Sequence, residues 1–441
     1  MNKKILCISV AVSALLIAIP AGAQNENVEE RIQRLEQRIQ ELEKEKIKSD
    51  VIAISANDGQ EVREMPSGNF AVSSFVPDIS VILNGSYSHY SQNHTHVRGF
   101  QMGHHGEKPN DGFSLGESEV NISANADDKF RGSLTLAIVG EHGEDKIEIE
   151  EAYLETLALP YGMSLKAGRM LPIFGYLNDK HLHTDDFYDR PLPYRVYMNS
   201  HYIDDGLQGS VVLPLDFYAE LGGGIFRGGK FPSDAEGGSY AGSYTAYAKT
   251  GSDVGVAHSW QFGVSYMHTK SKEEGRNDSH DDGHNHGKMT FRGESDLYGL
   301  DFKYTYSPNG NNRETQMVLQ AEYIMRKENG QYDLGKGYYD FDNTTNGWYA
   351  QAIYKFHPNW RAGYRYSEMN PKKRVSVELA GSLLNSRGHR PSMHTTMLEW
   401  ANSEFSRVRV QYNYDSSDKK PDNQIIFQYT VSFGAHGAHK Y

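Results

Sequence analysis

From Asp78 onward, apolar side chains recur at every second position in runs of strand length. In 407–414, Val408, Val410, Tyr412 and Tyr414 alternate with Arg407, Arg409, Gln411 and Asn413. In 360–366, Trp360, Ala362, Tyr364 and Tyr366 alternate with Arg361, Gly363 and Arg365. In 316–326, Met317, Leu319, Ala321, Tyr323 and Met325 oppose Gln320, Glu322 and Arg326. A period of two is that of a β-strand with two unlike faces. Here one face is apolar and ends in aromatics, and the other is polar and often charged. A soluble sandwich would turn the apolar face inward and would seldom finish so many strands in Tyr or Trp. A barrel in lipid turns the same face outward.

About sixteen such segments run from 79–90 to 424–434, an even number, as single-chain bacterial barrels require. The pattern predicts an all-β chain, a transmembrane antiparallel β-barrel over 78–441, wide enough for an aqueous lumen. Short turns such as Asp127-Asp128-Lys129 alternate with longer loops. In the last segment Ile425, Phe427, Tyr429, Val431 and Phe433 share one parity with the terminal Tyr441, the kind of aromatic end that barrel-assembly machinery reads.

The first 77 residues follow another pattern. Lys3 and Lys4 precede an apolar run from Ile5 to Pro20, and Ala21-Gly22-Ala23 closes it with small residues, so 1–23 reads as a cleaved secretory signal peptide. Val28, Ile32, Leu35, Ile39 and Leu42 then step by four and three, an a/d seam that predicts a short periplasmic coiled coil over 24–48. Residues 49–77, with Gly59, Pro66 and Gly68, read as a linker. The order of leader, coiled coil and barrel places the chain in the outer membrane of a Gram-negative bacterium.

Composition narrows the chemistry. The single cysteine, Cys7, lies in the leader, so the mature chain has no disulfide, thiolate metal ligand or Cys nucleophile. The net charge of −12 falls by two more when Lys3 and Lys4 are removed, which argues against nucleic acid as a partner. No nucleophile–base–acid arrangement, phosphate-cradling glycine loop or zinc-protease helix motif is present, so no enzyme activity is expected.

The segment 171–205 is the longest internal stretch without a strand pattern, and a loop of that length in a compact domain is usually functional. Inside a barrel its natural place is the lumen. Asp179, Asp185, Asp186, Asp189, Arg190 and Arg195, with His181 and His183, are the expected pore constriction, where opposed charges select ions in a narrow opening. His181 and His183, with Asp185 and Asp186 nearby, also suit a transient divalent ion. Lys166, Arg361, Arg365, Arg407 and Arg409 fall on polar faces and form a basic ladder along the lumen. Such a ladder guides anions, or offsets the loop acids and holds the wall in shape. Two further stretches combine imidazole with carboxylate: His94, His96, His104 and His105, and then His280, Asp281, Asp282, His284 and His286. Without thiolate these suit Zn²⁺ or another divalent metal, bound weakly and exchanged quickly; no cofactor is required.

Residues GESEVNISANADDKFRGSLTLAI (116–138), EIEEAYLETLALPYGMSLKAGRMLPIFGYLNDKHLHTDDFYDRPLPYR (148–195) and the ending VSFGAHGAHKY resemble a family of Gram-negative outer-membrane porins. That family is similar in style to the phosphate-selective porins, and some members are described as zinc-regulated. The resemblance implies a porin, assembled as a homotrimer, that passes small hydrophilic solutes or ions; it carries no ligand residues onto this chain. Two rivals stand beside it. A TonB-dependent-type metal receptor needs about 22 strands and a globular plug, and an adhesin or cell-wall tether would conduct nothing.

Overall fold

A computed structural model describes residues 77–434, except 95, 104, 105, 110, 142, 143, 234–240, 278–288, 336, 373 and 374. The leader, the coiled coil, His104, His105, the 280–286 histidine–aspartate run and Tyr441 lie outside the described residues.

Among the described residues, seventeen strands form one closed antiparallel sheet. They are β1 (Asp78–Tyr90), β2 (Gly112–Ser114), β3 (Ser118–Asn125), β4 (Phe130–Glu141), β5 (Glu144–Thr156), β6 (Met163–Met170), β7 (Asp204–Val212), β8 (Tyr218–Phe226) and β9 (Ser243–Val254). Then come β10 (His258–Asn277), β11 (Thr290–Tyr306), β12 (Gln316–Asp333), β13 (Tyr338–His357), β14 (Trp360–Asn370), β15 (Ser392–Ser403), β16 (Ser406–Ser416) and β17 (Asp422–Gly434). From β3 onward each strand pairs with its neighbour in sequence, and β1 closes the ring by pairing with β17 from Ser80↔Gly434 to Tyr90↔Gln424. β1 pairs with β3 at one end and β2 at the other, so β2 and β3 are one stave broken near Gly116. Gly116 has φ 58°, and a Cβ there would come within 2.9 Å of the Asn84 carbonyl oxygen. The barrel therefore has sixteen staves, well short of the ~22 of a plugged receptor.

The alternation holds stave by stave. Val408, Val410, Tyr412 and Tyr414 are exposed on the outer face, as are Ile425, Phe427, Tyr429, Val431 and Phe433. Arg409, Gln411, Asn413, Gln320, Glu322 and Arg326 are buried on the inner one. Aromatics gather at two heights. Trp360 faces Trp400 across β14–β15 at the short-turn end, while Trp348 and Tyr366 meet with ring centroids 5.3 Å apart at the long-loop end. β10 to β13, at 17 to 20 residues, run on past the last position of the outward apolar alternation. The sequence pattern ends them earlier because the faces exchange polarity there: Phe291, Tyr332 and Phe341 turn inward into a buried apolar cluster while the outward positions become polar.

The lumen differs from a uniformly wet bore. Met267, Leu297, Ile324, Tyr349, Met369 and Met393 are buried at inward positions. They pack against Phe174, Leu177, Tyr194, Tyr197 and Tyr202 of segment 171–203 and against Val97, Phe100 and Met102 of the β1–β2 connection. An apolar cluster thus fills part of the interior and anchors the long loop.

Candidate functional site

Segment 171–203 leaves β6, enters the barrel and returns to β7. It contains a helix the sequence pattern did not reveal, α1 (Leu192–Met198). Pro191 and Pro193 set its first turn, Asn199 ends it at φ 55°, and all seven residues are buried. Its apolar side chains point all round, which suits a helix enclosed on every side. The Asn178 amide ties the loop's legs together, donating to the carbonyls of Pro172 (2.7 Å) and Tyr202 (3.1 Å) and accepting from the Tyr202 amide (2.7 Å). Gly175 has φ 61° and lies so close to the wall that a Cβ would sit 2.3 Å from the Tyr194 hydroxyl and 2.4 Å from Glu322 Oε2.

The charges expected at the constriction divide into two groups. Asp185, Arg190 and Arg195 are buried within the packing rather than set in an opening. Arg190 holds Asp185 through Nε at 2.5 Å and donates to the carbonyls of Leu177 (2.8 Å) and Lys180 (2.7 Å). Arg195 donates to the Gly106 carbonyl at 2.9 Å. A guanidinium with five donors can close a loop on itself in this way, and burial follows from it. Asp179 and Asp186 remain partly exposed, each at 29%. Around them stand Lys249, 3.9 Å from Asp179, and Arg361, 2.6 Å from Asp186. The Tyr176 ring lies between the Lys180 and Lys303 ammonium groups, 4.6 and 4.7 Å from its centroid. Burial pushes the Tyr176 phenol well above its ordinary pKa, and Asp186 and Asp179 push it further, so it stays neutral while its oxygen accepts a hydrogen bond from Lys303.

The basic ladder serves mainly to hold the loop. Arg365 binds Asp189 at 2.6 Å, and Gln411 and Asn413 add bonds to the same carboxylate at 2.9 Å each. Arg361 and Arg409 share Glu399 at 2.5 and 2.7 Å, and Arg409 also donates to the Asp185 carbonyl at 2.8 Å. Arg407 donates to the His183 carbonyl. Lys166 stands apart, its ammonium 3.9 Å from the Tyr153 ring centroid. Most of these cations are matched by carboxylates, so they offset the loop acids more than they offer an open track for anions.

His181 and His183 do not join Asp185 and Asp186. They meet wall glutamates that the sequence reading passed over. His181 Nδ1 lies 3.2 Å from Glu119 and 3.1 Å from Glu150, its Nε2 lies 3.1 Å from Glu151, and His183 Nδ1 lies 2.6 Å from Glu119. Burial alone would lower the pKa of His181, but Glu150 and Glu119 outweigh it and hold the ring well above its ordinary value. Glu150 and Glu151 are neighbours in sequence yet both buried on the lumen side. A β-bulge explains this: Thr135 pairs with Glu151 and Leu136 with Ile149, leaving Glu150 as the extra residue. The adjacent Glu-Glu in IEIEEAYL is the sequence signal of that phase switch.

His94 and His96 lie in the β1–β2 connection, near Asp415 at the end of β16, Asp418 in the β16–β17 turn and Asp422 at the start of β17. Those carboxylates have other partners: Asp418 binds Arg98, and Asp422 binds Lys108 at 2.7 Å. Burial would raise Asp418, but its bond to Arg98 prevails and brings the pKa to about 2. A depressed carboxylate stabilises the fold above its unfolded pKa of about 3.9. This clamp should therefore persist down to about pH 4 and open as pH approaches 2, seen as faster amide exchange in 96–100 with the barrel strands still protected.

No family model matches the chain. An uncharacterized protein of Aquifex aeolicus is 28% identical over 399 residues, 84% of this chain and 81% of that protein. The outer membrane channel DcaP of Acinetobacter baumannii superposes with a TM-score of 0.51 at 14% identity, over 83% of this chain and 100% of that one. A loop-deletion form of OmpT, an outer membrane protein of Vibrio cholerae, gives 0.50 at 11% identity over 82% and 100%. At this level of identity the likeness establishes the fold, a closed antiparallel barrel of sixteen staves.

Proposed function

We propose that this chain is a porin-type channel of the Gram-negative outer membrane, passing small hydrophilic solutes or ions by diffusion. The observation that carries the reading is the division of faces: aromatic-edged and apolar outside, charged inside, with segment 171–203 hung across the lumen. A ring with no open edge is one of the two structures able to cross lipid, and the likeness to a barrel described as a channel supports the reading. Purified protein in a planar bilayer should give steady ohmic current steps; silence at all voltages would end this interpretation. With Asp179 and Asp186 at the opening, Asp179→Asn with Asp186→Asn should shift reversal potentials several-fold toward anions, while Asp185→Asn should mainly loosen the loop.

The finer reading is a bias toward divalent metal ions, Zn²⁺ first, supported by the imidazole–carboxylate composition of its loops. Because Asn277 pairs with Thr290, residues 278–288 can be replaced by Asn-Gly, which together with Met289 closes a three-residue hairpin loop. The cut must not begin earlier, since Arg276 is fully buried against Glu328 at 2.6 Å. Calorimetry of this variant should show loss of the weak zinc-binding phase with unchanged barrel melting. In the same reading the barrels associate as homotrimers and β17 presents the assembly signal; the mass of the detergent-solubilised protein tests the first point.

A further inference from the structure

Two groups of metal-capable side chains adjoin each other where the loop meets β3 and β5. Glu119, His181 and His183 place one donor atom each within 4.8 Å of one another, and so do Glu117, Glu150 and His201. Glu150 links them, with Oε2 3.1 Å from His181 Nδ1. Its other oxygen, Oε1, is buried without a hydrogen-bond partner although the side chain is only 2% exposed; Oε2 of Glu117 is likewise buried and unpartnered. Among the described residues, the ion-pair partners of Glu119, Glu150 and Glu151 are imidazoles, not arginine or lysine.

Burying carboxylate oxygens without compensation is costly. Elsewhere in this lumen guanidinium groups meet that cost, as at Glu399 and Glu328. Here the chain supplies imidazole, which is both a weaker counter-charge and a metal ligand. An ion with bonds of 2.0–2.1 Å keeps tetrahedral ligand atoms about 3.3 Å apart. The nitrogen–oxygen separations around His181 and His183 are 2.6 to 3.2 Å, and the three donor atoms lie within 4.8 Å of one another, so small side-chain adjustments would bring them to an ion. His181, at 17%, is the more exposed edge beside Glu119, at 2%, and His183, at 6%, giving an ion a way in.

We propose that this cluster binds a divalent transition-metal ion of the Zn²⁺ class, held by Glu119, His181 and His183, with Glu150 bridging to a second position at Glu117 and His201. The ion replaces the protons that the imidazoles share with the carboxylates. Because the three histidines belong to the loop and the glutamates to the wall or the break in its stave, the bound ion fastens the loop across the lumen. Binding itself does not depend on the channel function; the effect on current does rest on that reading.

The test uses the mature chain in detergent with 278–288 replaced as above, which removes His280, His284 and His286 as competitors; the site variants below separate the cluster from the histidines that remain. Titration with Zn²⁺ by calorimetry, and with Co²⁺ by visible absorption, should show one or two tight equivalents. Glu119→Gln and His181→Asn should each weaken binding at least tenfold, given what even outer-shell changes do to metal sites. Glu294→Gln, which removes an exposed ion pair with Lys270, should leave binding unchanged. Barrel circular dichroism and protease resistance identify variants that are folded. Unchanged affinity in folded Glu119→Gln and His181→Asn overturns the proposal, as does absence of binding by the parent protein. Steady current steps without binding would remove the site and keep the channel; tight binding with silent bilayers would keep the site and remove the channel.

Discussion

Replacing Arg190 with methionine should release segment 171–203 from its own fold and raise single-channel conductance. Arg190 is 0% exposed and binds both oxygens of Asp185, at 2.5 and 3.2 Å, together with the carbonyls of Leu177, Lys180 and Ser200. Methionine fills much of the volume but offers none of the donors. Removing one partner of a buried pair costs about 3–5 kcal/mol because the other charge is left uncompensated. That loss falls on the loop, whereas the barrel is held by ladders that never touch Arg190, so the effect should be local opening. Expected are a larger, noisier conductance, new protease cleavage within 171–203, and barrel melting close to that of the parent. Unaltered conductance and protease resistance would show that the apolar contacts of Phe174, Tyr194 and Tyr197 suffice to hold the loop.

Leu300→Arg should cost about 2–4 kcal/mol of folding into a bilayer, the range for a cation near the midplane of a lipid-facing strand. Leu300 is 49% exposed and lies between Tyr298 and Phe302 on the outer face of β11. Its strand neighbours there are Val264 and Tyr323. The same strand already carries Asp301 and Lys303 on its inner parity, so strand chemistry does not forbid charge; the face does. Refolding from urea into lipid vesicles, followed by gel mobility, measures the difference, with Leu300→Phe as a near-neutral comparison. Equal folding of Leu300→Arg and the parent would mean that the outer face meets water.

These two substitutions separate what was legible in the chain from what was not. The outward parity of Leu300, like that of Val408 and Phe427, follows from alternation alone. Each of the sixteen segments became a stave, and β10 to β13 differ only in length, where the apolar residues Phe291, Tyr332 and Phe341 turn inward and the outward face becomes polar. The role of Arg190 was not legible in this way. As a charge in a long loop it reads as a constriction residue, but it is buried because Asp185 and three carbonyls converge on it. The Glu-Glu pair at 150–151 was a readable signal of a bulge. Its partner His181, about thirty residues away, was not.

The period-two pattern therefore determined the barrel, its stave number and the side that faces outward, because a strand's side chains alternate by local geometry and lipid and water sort them by polarity. Only the tertiary structure decided which charges stay in the opening, which are spent on holding the loop, and which imidazoles meet which carboxylates. Those pairings join residues from 5 to more than 200 positions apart, as in Asp185–Arg190 and Asp189–Arg365–Asn413. Their partners are set by how the loop's apolar side chains seat against the inner wall, and no periodicity along the chain records that.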